Sequence, residues 1–444
     1  MTVNPDGLSE ESVQMLVELK AGCRTSVLVR TVLIVCPGRR PRKPENTQPF
    51  DLSLLLSAIQ SLKSVRTAEW DVYWDDSNVT RSRYGSILRS LGSLSLLEEL
   101  IIRCDYIPVL PSDAFRGGKL KKISLKGDPS KVQGSVMSSL AQIIHSNTKL
   151  SHISIDWSRY FLPPVPTLPF SALFEPARPR ALPLQTLHLT GWDFDFWHPN
   201  VIPHLKHLRS LDLSDCDYRD EVLWKMLSVQ QVSLRRISVQ MISNELFDYV
   251  ESISGLEELH LTYFEPEDHV LSEALSERFF QHILPRHQHT LQVLGIEPDM
   301  ESLDWAICYH NIHSLNSCKG LTHLTIGLGF EYEDPEHEPY DEIVARRENV
   351  MKMLILNLTS NHPKLERLTL AILYDYDDYC FEIDVLLTSV LIPPDESMIP
   401  HFEVYIKGSI YRAQITTEFS LPRGWPQKDK PEGSEAYIAF RKAT

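Results

Sequence analysis

Cysteine is scarce in this 444-residue sequence, and the cysteines present form no paired motif. The seven cysteines are odd in number and widely spaced, without C-x-x-C, which argues against a disulfide framework or a zinc ribbon. Long apolar runs are also lacking, because the run over 27–35 is short and contains Arg30. The opening residues do not resemble a signal peptide. We therefore expect a protein of the cytoplasm or nucleus, with no membrane association.

Basic residues are outnumbered, with 44 lysines and arginines against 59 aspartates and glutamates, and the formal net charge is −15. Much of the excess is local. Residues 331–342 hold seven acidic residues and no lysine or arginine, and residues 375–384 hold five more. Phosphate contacts need a basic surface, so this composition argues against nucleic acid as a partner. A protein partner remains compatible with it.

Motifs for nucleotide binding and hydrolysis are missing as well. The run 117–119 (GGK) is followed by Leu120 instead of Ser or Thr, and Asp113 stands where a P-loop has its first glycine. Gly327 and Gly329 lack the third glycine of a dinucleotide-binding loop. There is no H-E-x-x-H and no G-x-S-x-G. We predict that the chain is not an enzyme and holds no cofactor.

Three histidines crowd the stretch FFQHILPRHQH, at His282, His287 and His289. A metal site would need a carboxylate or thiolate nearby and a spacing that faces one point, but these residues straddle a helix end and Pro285. Cations at a helix C-terminus interact favourably with the helix dipole. We predict no metal site and interpret the three histidines as helix-end cations.

What the sequence does contain is a repeated hexad, L-x-x-L-x-L. Its last four residues alternate between apolar and polar, as in a half-buried strand. Ten strong copies begin at Leu97, Leu120, Leu150, Leu184, Leu208, Leu234, Leu256, Leu291, Leu321 and Leu365, and three weaker ones at Val29, Val65 and Ile399. Successive copies start 22 to 44 residues apart, mostly at or just above the spacing of leucine-rich repeats.

The segments between the hexads have helical periodicity. Apolar stripes at a spacing near 3.6 residues occur over 87–94, 136–144, 275–284 and 350–358. One such unit cannot bury its apolar face alone, so neighbours must stack. The sequence therefore predicts an α/β fold, a leucine-rich-repeat solenoid. It has a curved parallel sheet on the concave side and helices and loops on the convex side.

The repeat also divides the chain. We predict a helical lead-in over 1–26, one irregular solenoid over 27–410, and a C-terminal cap and tail over 411–444. Residues 437–440 are expected to fold back over the last strand. Three loops interrupt the pattern: a proline-rich one over 160–183, the acidic one over 331–342, and one over 421–433. The proline-rich loop is a surface excursion or a polyproline II ligand.

The polar residues of each hexad point away from the core and form three columns along the concave face. A solenoid of this kind binds proteins there. The candidate binding residues are Lys122, His188, Asp212, Arg236, Glu258, His260, His323 and Arg367. Three aromatic residues at strand exits, Trp192, Tyr263 and Phe264, are candidate anchors, since hot spots favour Trp, Tyr and Arg. The alternative is that the face is only the solvated side of a half-buried sheet.

The chain resembles the F-box-associated leucine-rich-repeat proteins that fungi carry in many copies. The residues behind the resemblance are LRSLDLSDC, LEELHLTYF, the opening VRTVLI with LLLSAIQSLKSVRTAEW, and FFQHILPRHQHTLQVLGIEPD, and it covers most of 27–410. The repeat consensus places a polar residue, the polar rung, three residues after each hexad. Only Cys216 fits this position, and Asp105, Asp128 and Asp299 are partial substitutes. The residues before the first strand lack the L-P-x-E-[IL] opening of an F-box.

The resemblance implies a function. Such proteins hold a target for ubiquitination on the repeats and dock on a Skp1-type adaptor through an F-box. We therefore expect a non-catalytic protein-interaction module that binds a protein partner on the concave face, like the substrate-recognition part of an SCF-type ubiquitin-ligase receptor. The adaptor is a partner if an F-box lies upstream. The alternative is a free-standing scaffold or sensor in a signalling complex.

Overall fold

In the computed structural model, the chain forms two compact units, Met1–Val232 and Ser233–Thr444, which are described separately below. The structure describes residues 10–21, 28–36, 52–72, 78–104, 110–127, 134–157, 169–174, 181–214, 216, 218, 220–264, 269–298, 303–307, 311–327, 340–371, 387, 399–406, 409–416 and 437–443.

The first unit contains seven strands that pair in chain order, each parallel to the next. They are β1 Thr31–Cys36, β2 Thr67–Val72, β3 Glu99–Cys104, β4 Lys122–Gly127, β5 His152–Asp156, β6 Thr186–Thr190 and β7 Ser210–Ser214. Parallel neighbours need a crossover connection, and the segments between these strands supply it.

The second unit begins with six strands that also pair in parallel and in chain order. They are β8 Arg236–Val239, β9 Glu258–Phe264, β10 Val293–Pro298, β11 His323–Gly327, β12 Arg367–Ala371 and β13 Glu403–Ile406. Two further strands, β14 Ser409–Thr416 and β15 Tyr437–Lys442, continue the sheet in antiparallel pairing.

Helices occupy most of the connections between the strands. In the first unit they are α1 Glu10–Lys20, α2 Leu52–Ser61, α3 Asn78–Gly92, α4 Gly134–Ser146, α5 Ile202–Leu205 and α6 Asp220–Val229, with 3-10 turns at Ser112–Phe115 and Phe170–Phe174. In the second they are α7 Asn244–Ser252, α8 His269–Arg278, α9 Leu284–Arg286 and α10 Tyr340–Asn361, with a π-helical turn at Phe279–Ile283 and 3-10 turns at Leu303–Trp305 and Ile312–Ser317.

The hexads coincide with the strands. Twelve of the thirteen strands β1–β13 begin two residues after the start of a hexad, and β13 begins four residues after Ile399. The shift at β13 follows burial, because Phe402, Val404 and Ile406 point inward there. Each strand therefore buries alternate residues, as the hexad predicts. The four predicted helical stripes lie within α3, α4, α8 to α9, and α10.

The core lies between the inward side of each sheet and the helices. The inward residues of β3 to β7 are almost all leucine or isoleucine, and each is at most 1% exposed: Leu100, Ile102, Ile123, Leu125, Ile153, Ile155, Leu187, Leu189, Leu211 and Leu213. Burial of such side chains is the dominant favourable term in folding. The outward side chains of the same strands are half-buried or, at Arg103 and Lys126, exposed.

Two polar side chains, the buried Asn147 and the half-buried Cys216, connect one repeat to the backbone of its predecessor. The Nδ2 of Asn147 donates to the carbonyl of Phe115 at 2.9 Å, and its Oδ1 accepts from the Leu120 amide at 3.0 Å. Cys216 donates from Sγ to the carbonyl of Leu189 at 3.3 Å. Cys216 is the residue that the sequence places at the polar rung of the repeat. These bonds satisfy backbone groups that would otherwise be buried without partners.

The structure confirms the α/β class and the mostly parallel sheet, an arrangement compatible with a solenoid-like fold. It also brings residues 437–440 back onto the sheet, since Ile438 and Phe440 are buried in β15. The three-part division at residues 26 and 410 stays a prediction. The loops predicted over 160–183, 331–342 and 421–433 lie wholly or mostly outside the described residues.

One histidine prediction is wrong. His287 is only 3% exposed, and its Nε2 donates to the carbonyl of Val250 at 3.0 Å. Burial lowers the pKa of His287, with the Arg286 charge acting in the same direction and the Val250 bond opposing it. His287 is therefore a neutral core residue that caps a backbone carbonyl, and it does not act as a helix-end cation.

Candidate functional site

The candidate site is the outward face of the strands, defined by the side chains at the first, third and fifth positions of β2 to β13. Alternation places these side chains on the side opposite the buried leucines. Each unit has its own outward face. Lys122, His188 and Asp212 lie on that of the first unit, and Arg236, Glu258, His260, His323 and Arg367 lie on that of the second. All eight predicted residues are therefore outward.

Ion pairs cross the outward face of the first unit from strand to strand. Arg103 on β3 pairs with Glu69 on β2. Nζ of Lys122 lies 2.5 Å from Oε1 of Glu99, and the Lys126 and Asp156 side chains approach to 2.7 Å. Opposite charges on neighbouring strands stabilise a sheet by only a few tenths of a kcal/mol, about 0.2–1 kcal/mol per pair. The pairs mainly fix the charge pattern that the face presents.

His188 and Asp212 form the most buried polar contact on this face. Their strands are in register, and His188 Nδ1 lies 2.6 Å from Asp212 Oδ2. Ser214 donates to the other carboxylate oxygen, Oδ1, at 3.2 Å, and Thr190 Oγ1 lies 3.5 Å from His188 Nε2. The hydrogen bond with Asp212 raises the pKa of His188, and burial opposes it. A histidine paired with a carboxylate makes this cluster a proton-sensitive point on the outward face of the first unit.

The outward face of the second unit carries a different set of contacts. Nε of Arg236 lies 3.4 Å from Oε1 of Glu258 on the next strand. At the other end the guanidinium of Arg367 lies over the ring of Tyr405, 3.8 Å from its centroid. The Tyr405 hydroxyl donates to Glu403 at 2.7 Å. Arginine and tyrosine stacked in this way are the residue types enriched at protein hot spots.

His260 depends on a glycine in the neighbouring strand. Gly295 is opposite His260 in the register of β9 and β10, and a Cβ built on Gly295 would lie 2.5 Å from His260 Nδ1. The imidazole therefore occupies the space above Gly295. His323 lies one strand further, with its Nδ1 3.0 Å from Oγ1 of its chain neighbour Thr322. The glycine thus sets the position of His260 on the face.

Several residues of the site were not among the eight candidate binding residues, although all of them except Glu69 and Tyr405 belong to the three predicted columns. They are Glu69, Glu99, Arg103, Lys126, Asp156, Thr190, Ser214, Gly295, Glu297 and Tyr405. The sequence did contain a signal for the ion pairs whose two residues lie directly opposite each other on neighbouring strands. Glu99 and Lys122 hold the same position in consecutive hexads with opposite charge, as do Lys126 and Asp156. The diagonal pair of Glu69 and Arg103 spans different positions, so same-position matching does not find it.

Of the three predicted aromatic anchors, the structure describes the side chain of Trp192 alone. Trp192 is wholly buried and stacks on Trp157 with ring centroids 5.8 Å apart, so it cannot serve as a surface anchor. Gly191, at φ +75°, turns the chain inward at that point, and a Cβ there would lie 2.7 Å from the Trp157 carbonyl oxygen. The side chains of Tyr263 and Phe264 lie outside the described residues.

Among the residues that the structure describes, no group of three or more histidine, cysteine, aspartate or glutamate side chains is arranged to hold a metal ion. Within the same part of the chain, no helix is both long enough and apolar enough to span a membrane.

Comparisons with known proteins show no family for this chain. No family model matches it. No curated protein matches it either. Among solved structures it matches an exo-beta-1,4-mannosidase, Op5Man5, from Opitutaceae bacterium strain TAV5, at 10% sequence identity and a TM-score of 0.20, over 87% of this chain and 75% of that chain.

The prediction that this chain is not an enzyme is corrected by that match, since the matched protein is an enzyme. We therefore withdraw the prediction. A likeness at 10% identity and a TM-score of 0.20 carries no argument about a shared fold or reaction. Neither glycoside hydrolysis nor the absence of catalysis enters the account of function below.

Proposed function

We propose that this chain is a leucine-rich-repeat protein that binds a protein partner on the outward face of its strands. The observation that carries the proposal is the face itself. In both units, consecutive repeats bury one side of each strand and leave a row of half-buried polar and charged side chains on the other. A sheet face of mixed charge with fixed side chains is a surface on which stacked-repeat proteins bind partners.

The repeat class is supported by the strands and by the polar rung. Every strand from β1 to β13 contains a hexad or its shifted equivalent, and Cys216 bonds back to the preceding repeat as a rung residue would. In this proposal the sheet is curved, and the outward face is its concave side. The partner is a folded protein or a segment of one, and the protein acts in the cytoplasm or nucleus.

Two roles fit such a module. The first resembles the substrate-recognition part of an SCF-type ubiquitin-ligase receptor, with a Skp1-type adaptor as a second partner. The other is a free-standing scaffold or sensor in a signalling complex. Calorimetric titration of the chain with a purified Skp1-type adaptor separates them. Binding supports the receptor role, and the absence of heat with a well-folded chain favours the scaffold.

The surface itself is tested with variants. Replacing Asp212 and Arg236 together by alanine removes one charge from the outward face of each unit. Both residues are half-buried or exposed, so the fold should persist. We expect partner binding to weaken while the melting temperature changes little. Unchanged binding would place the interaction elsewhere on the protein.

A further inference from the structure

One carboxylate on the outward faces stands apart from the others. Glu297, on β10, makes no hydrogen bond or ion pair with any residue that the structure describes. By contrast, every other carboxylate at an outward position has a partner: Glu69, Asp71, Glu99, Asp156, Asp212, Glu258 and Glu403. The exception is therefore a property of this position and not of the face in general.

Threonine side chains and one imidazole surround Glu297. Thr262 is opposite it on β9, Thr325 lies on the same face of the next strand, and the His260 ring occupies the space above Gly295, two residues back. The register of β9 and β10 shifts at Glu297 and Pro298, an irregularity of the kind that re-aims a side chain. Glu297 is half-buried, and burial raises its pKa. The negative charge of Glu297 is therefore partly removed from water, and among the described residues no hydrogen bond or cation offsets that cost.

The neighbouring sequence offers Glu297 no lysine or arginine. The segments that follow β9, β10, β11 and β12 lie outside the described residues, over 265–268, 299–302, 328–339 and 372–398 except Leu387. Together they contain seventeen acidic residues and no lysine or arginine. The sequence that directly follows these four strands therefore contributes no lysine or arginine that could pair with Glu297. In the first unit, the corresponding segments 128–133 and 158–168 contain Lys131 and Arg159.

Resting on the proposed function, we propose that the outward face of β9 to β12 binds an arginine- or lysine-bearing segment of the protein partner. Glu297 accepts charge-assisted hydrogen bonds from one cationic side chain of that segment. The neighbouring Thr262 and Thr325 side chains are short, so the aliphatic stem of arginine or lysine can lie over them while the charged head reaches the carboxylate.

The thermal stability of a Glu297 variant distinguishes a binding role from a structural role, because the two roles predict opposite effects. A half-buried carboxylate that is kept for binding costs the free protein stability, because its desolvation is not repaid until the partner arrives. Glutamine has the same shape without the charge. Glu297→Gln should therefore melt at the same temperature or higher, whereas a carboxylate held for the fold would melt lower when replaced.

The test uses the full chain and a fluorescein-labelled hexa-arginine peptide, with hexa-citrulline as the uncharged analogue of the same shape. Fluorescence anisotropy at neutral pH measures binding to the wild type, to Glu297→Gln and to Glu273→Gln. Glu273 is exposed on helix α8, so its variant removes the same charge away from the face. We expect hexa-arginine to bind about tenfold more weakly to Glu297→Gln than to the wild type, the effect of about 1.4 kcal/mol. Glu273→Gln should stay within twofold of the wild type, and hexa-citrulline should bind poorly to all three.

Three results would overturn the proposal. The first is no binding of hexa-arginine to the wild type. The second is equal weakening by both variants, which would show a diffuse acidic field without a specific residue. The third is a lower melting temperature of Glu297→Gln with unchanged peptide binding, which would show a structural role. If a captured protein partner depends on Asp212 and Arg236 but not on Glu297, the basic-segment proposal fails and the proposed function stands.

Discussion

His188 on β6 and Asp212 on β7 lie directly opposite each other, with Nδ1 and Oδ2 2.6 Å apart. The pair is half-buried, and Ser214 holds the second carboxylate oxygen of Asp212. The hydrogen bond with Asp212 raises the pKa of His188 above its usual value of 6.5. A change of one proton at this pair therefore alters the charge on the last two strands, β6 and β7, of the first unit's outward face.

Asp212→Asn tests that coupling. The variant should lower the pKa of His188, because the charged partner of the imidazolium is lost. The pair stabilises the folded chain most at pH below 6.5, and the contribution is lost as pH rises through the raised pKa of His188. The stability gap between wild type and variant should thus be largest in acid and shrink above neutrality. Histidine NMR titration and urea denaturation at several pH values measure both effects.

Asp113→Asn is the matched control for that variant, since Asp113 is exposed and lies in the same unit. It should leave the His188 titration unchanged. A His188 pKa that is the same in Asp212→Asn as in the wild type would mean that the two side chains do not interact in solution.

The buried histidine His204 changes stability with pH in the opposite direction to His188. His204 is 9% exposed, its Nδ1 accepts from the Leu182 amide at 2.9 Å, and its ring stacks on Phe174. Burial lowers the pKa of His204 to about 4. The unfolded chain binds this proton near pH 6.5 and the folded chain does not, so stability falls as pH drops from 6.5 to about 4. The loss from this one group is about 3 kcal/mol.

His204→Asn keeps an acceptor for the Leu182 amide and removes the titrating ring. The variant should be less stable at neutral pH because the stacking on Phe174 is lost. Its stability should also fall less steeply between pH 6.5 and 4, as measured by urea denaturation. An acid dependence as steep as that of the wild type would show that His204 is not the neutral buried group described above.

Asn147 tests the bonds between repeats. Its side chain donates to the carbonyls of Phe115 and Ile143 and accepts from the Leu120 amide, and it is fully buried. Asn147→Ala removes the side-chain partner of the Leu120 amide and of the Phe115 carbonyl, which costs about 3 kcal/mol in the free energy of unfolding. The Ile143 carbonyl still accepts from the backbone amide of residue 147. Thr148→Ala, at the exposed neighbouring position, should change it by less than about 0.5 kcal/mol. Similar losses in the two variants would contradict the assigned role.

Gly295 tests the placement of His260. In Gly295→Ala the new Cβ meets Nδ1 of His260, the far part of a side chain that can rotate away. We expect a changed His260 NMR signal and a small loss of stability, together with weaker partner binding. Gly117→Ala, where the nearest atom is on the Lys119 side chain at 3.5 Å, should have none of these effects. An unmoved His260 signal would contradict the contact.

The sequence predicted the strands well because each hexad carries its own signal. Leu208, Leu211 and Leu213 are enough to define β7 without knowledge of any other repeat. The antiparallel strand β14 was not predicted, because its pairing with β13 and β15 is not part of the hexad. The failure at Trp192 has a similar cause, since its burial depends on Gly191 and on contact with Trp157.

The candidate site could be predicted only as a set of positions. The columns of polar residues follow from alternation, but which side chains meet depends on register and rotamer. Glu297 shows this limit most clearly. The sequence places Glu297 in a column with Thr262 and Gly327. That Glu297 is half-buried and lacks a partner among the described residues is known only from the structure. Contacts across the face are long-range, and single-repeat patterns do not encode them.

The most direct test of the account is affinity capture from a cell lysate with matched double variants. Asp212→Ala with Arg236→Ala alters the outward faces. Glu221→Ala with Arg286→Ala removes the same charges, one from each unit, at exposed helical positions. The account predicts that proteins captured by the wild type are lost with the first variant and retained with the second. Equal capture by both variants, or loss with the helical variant alone, would contradict it.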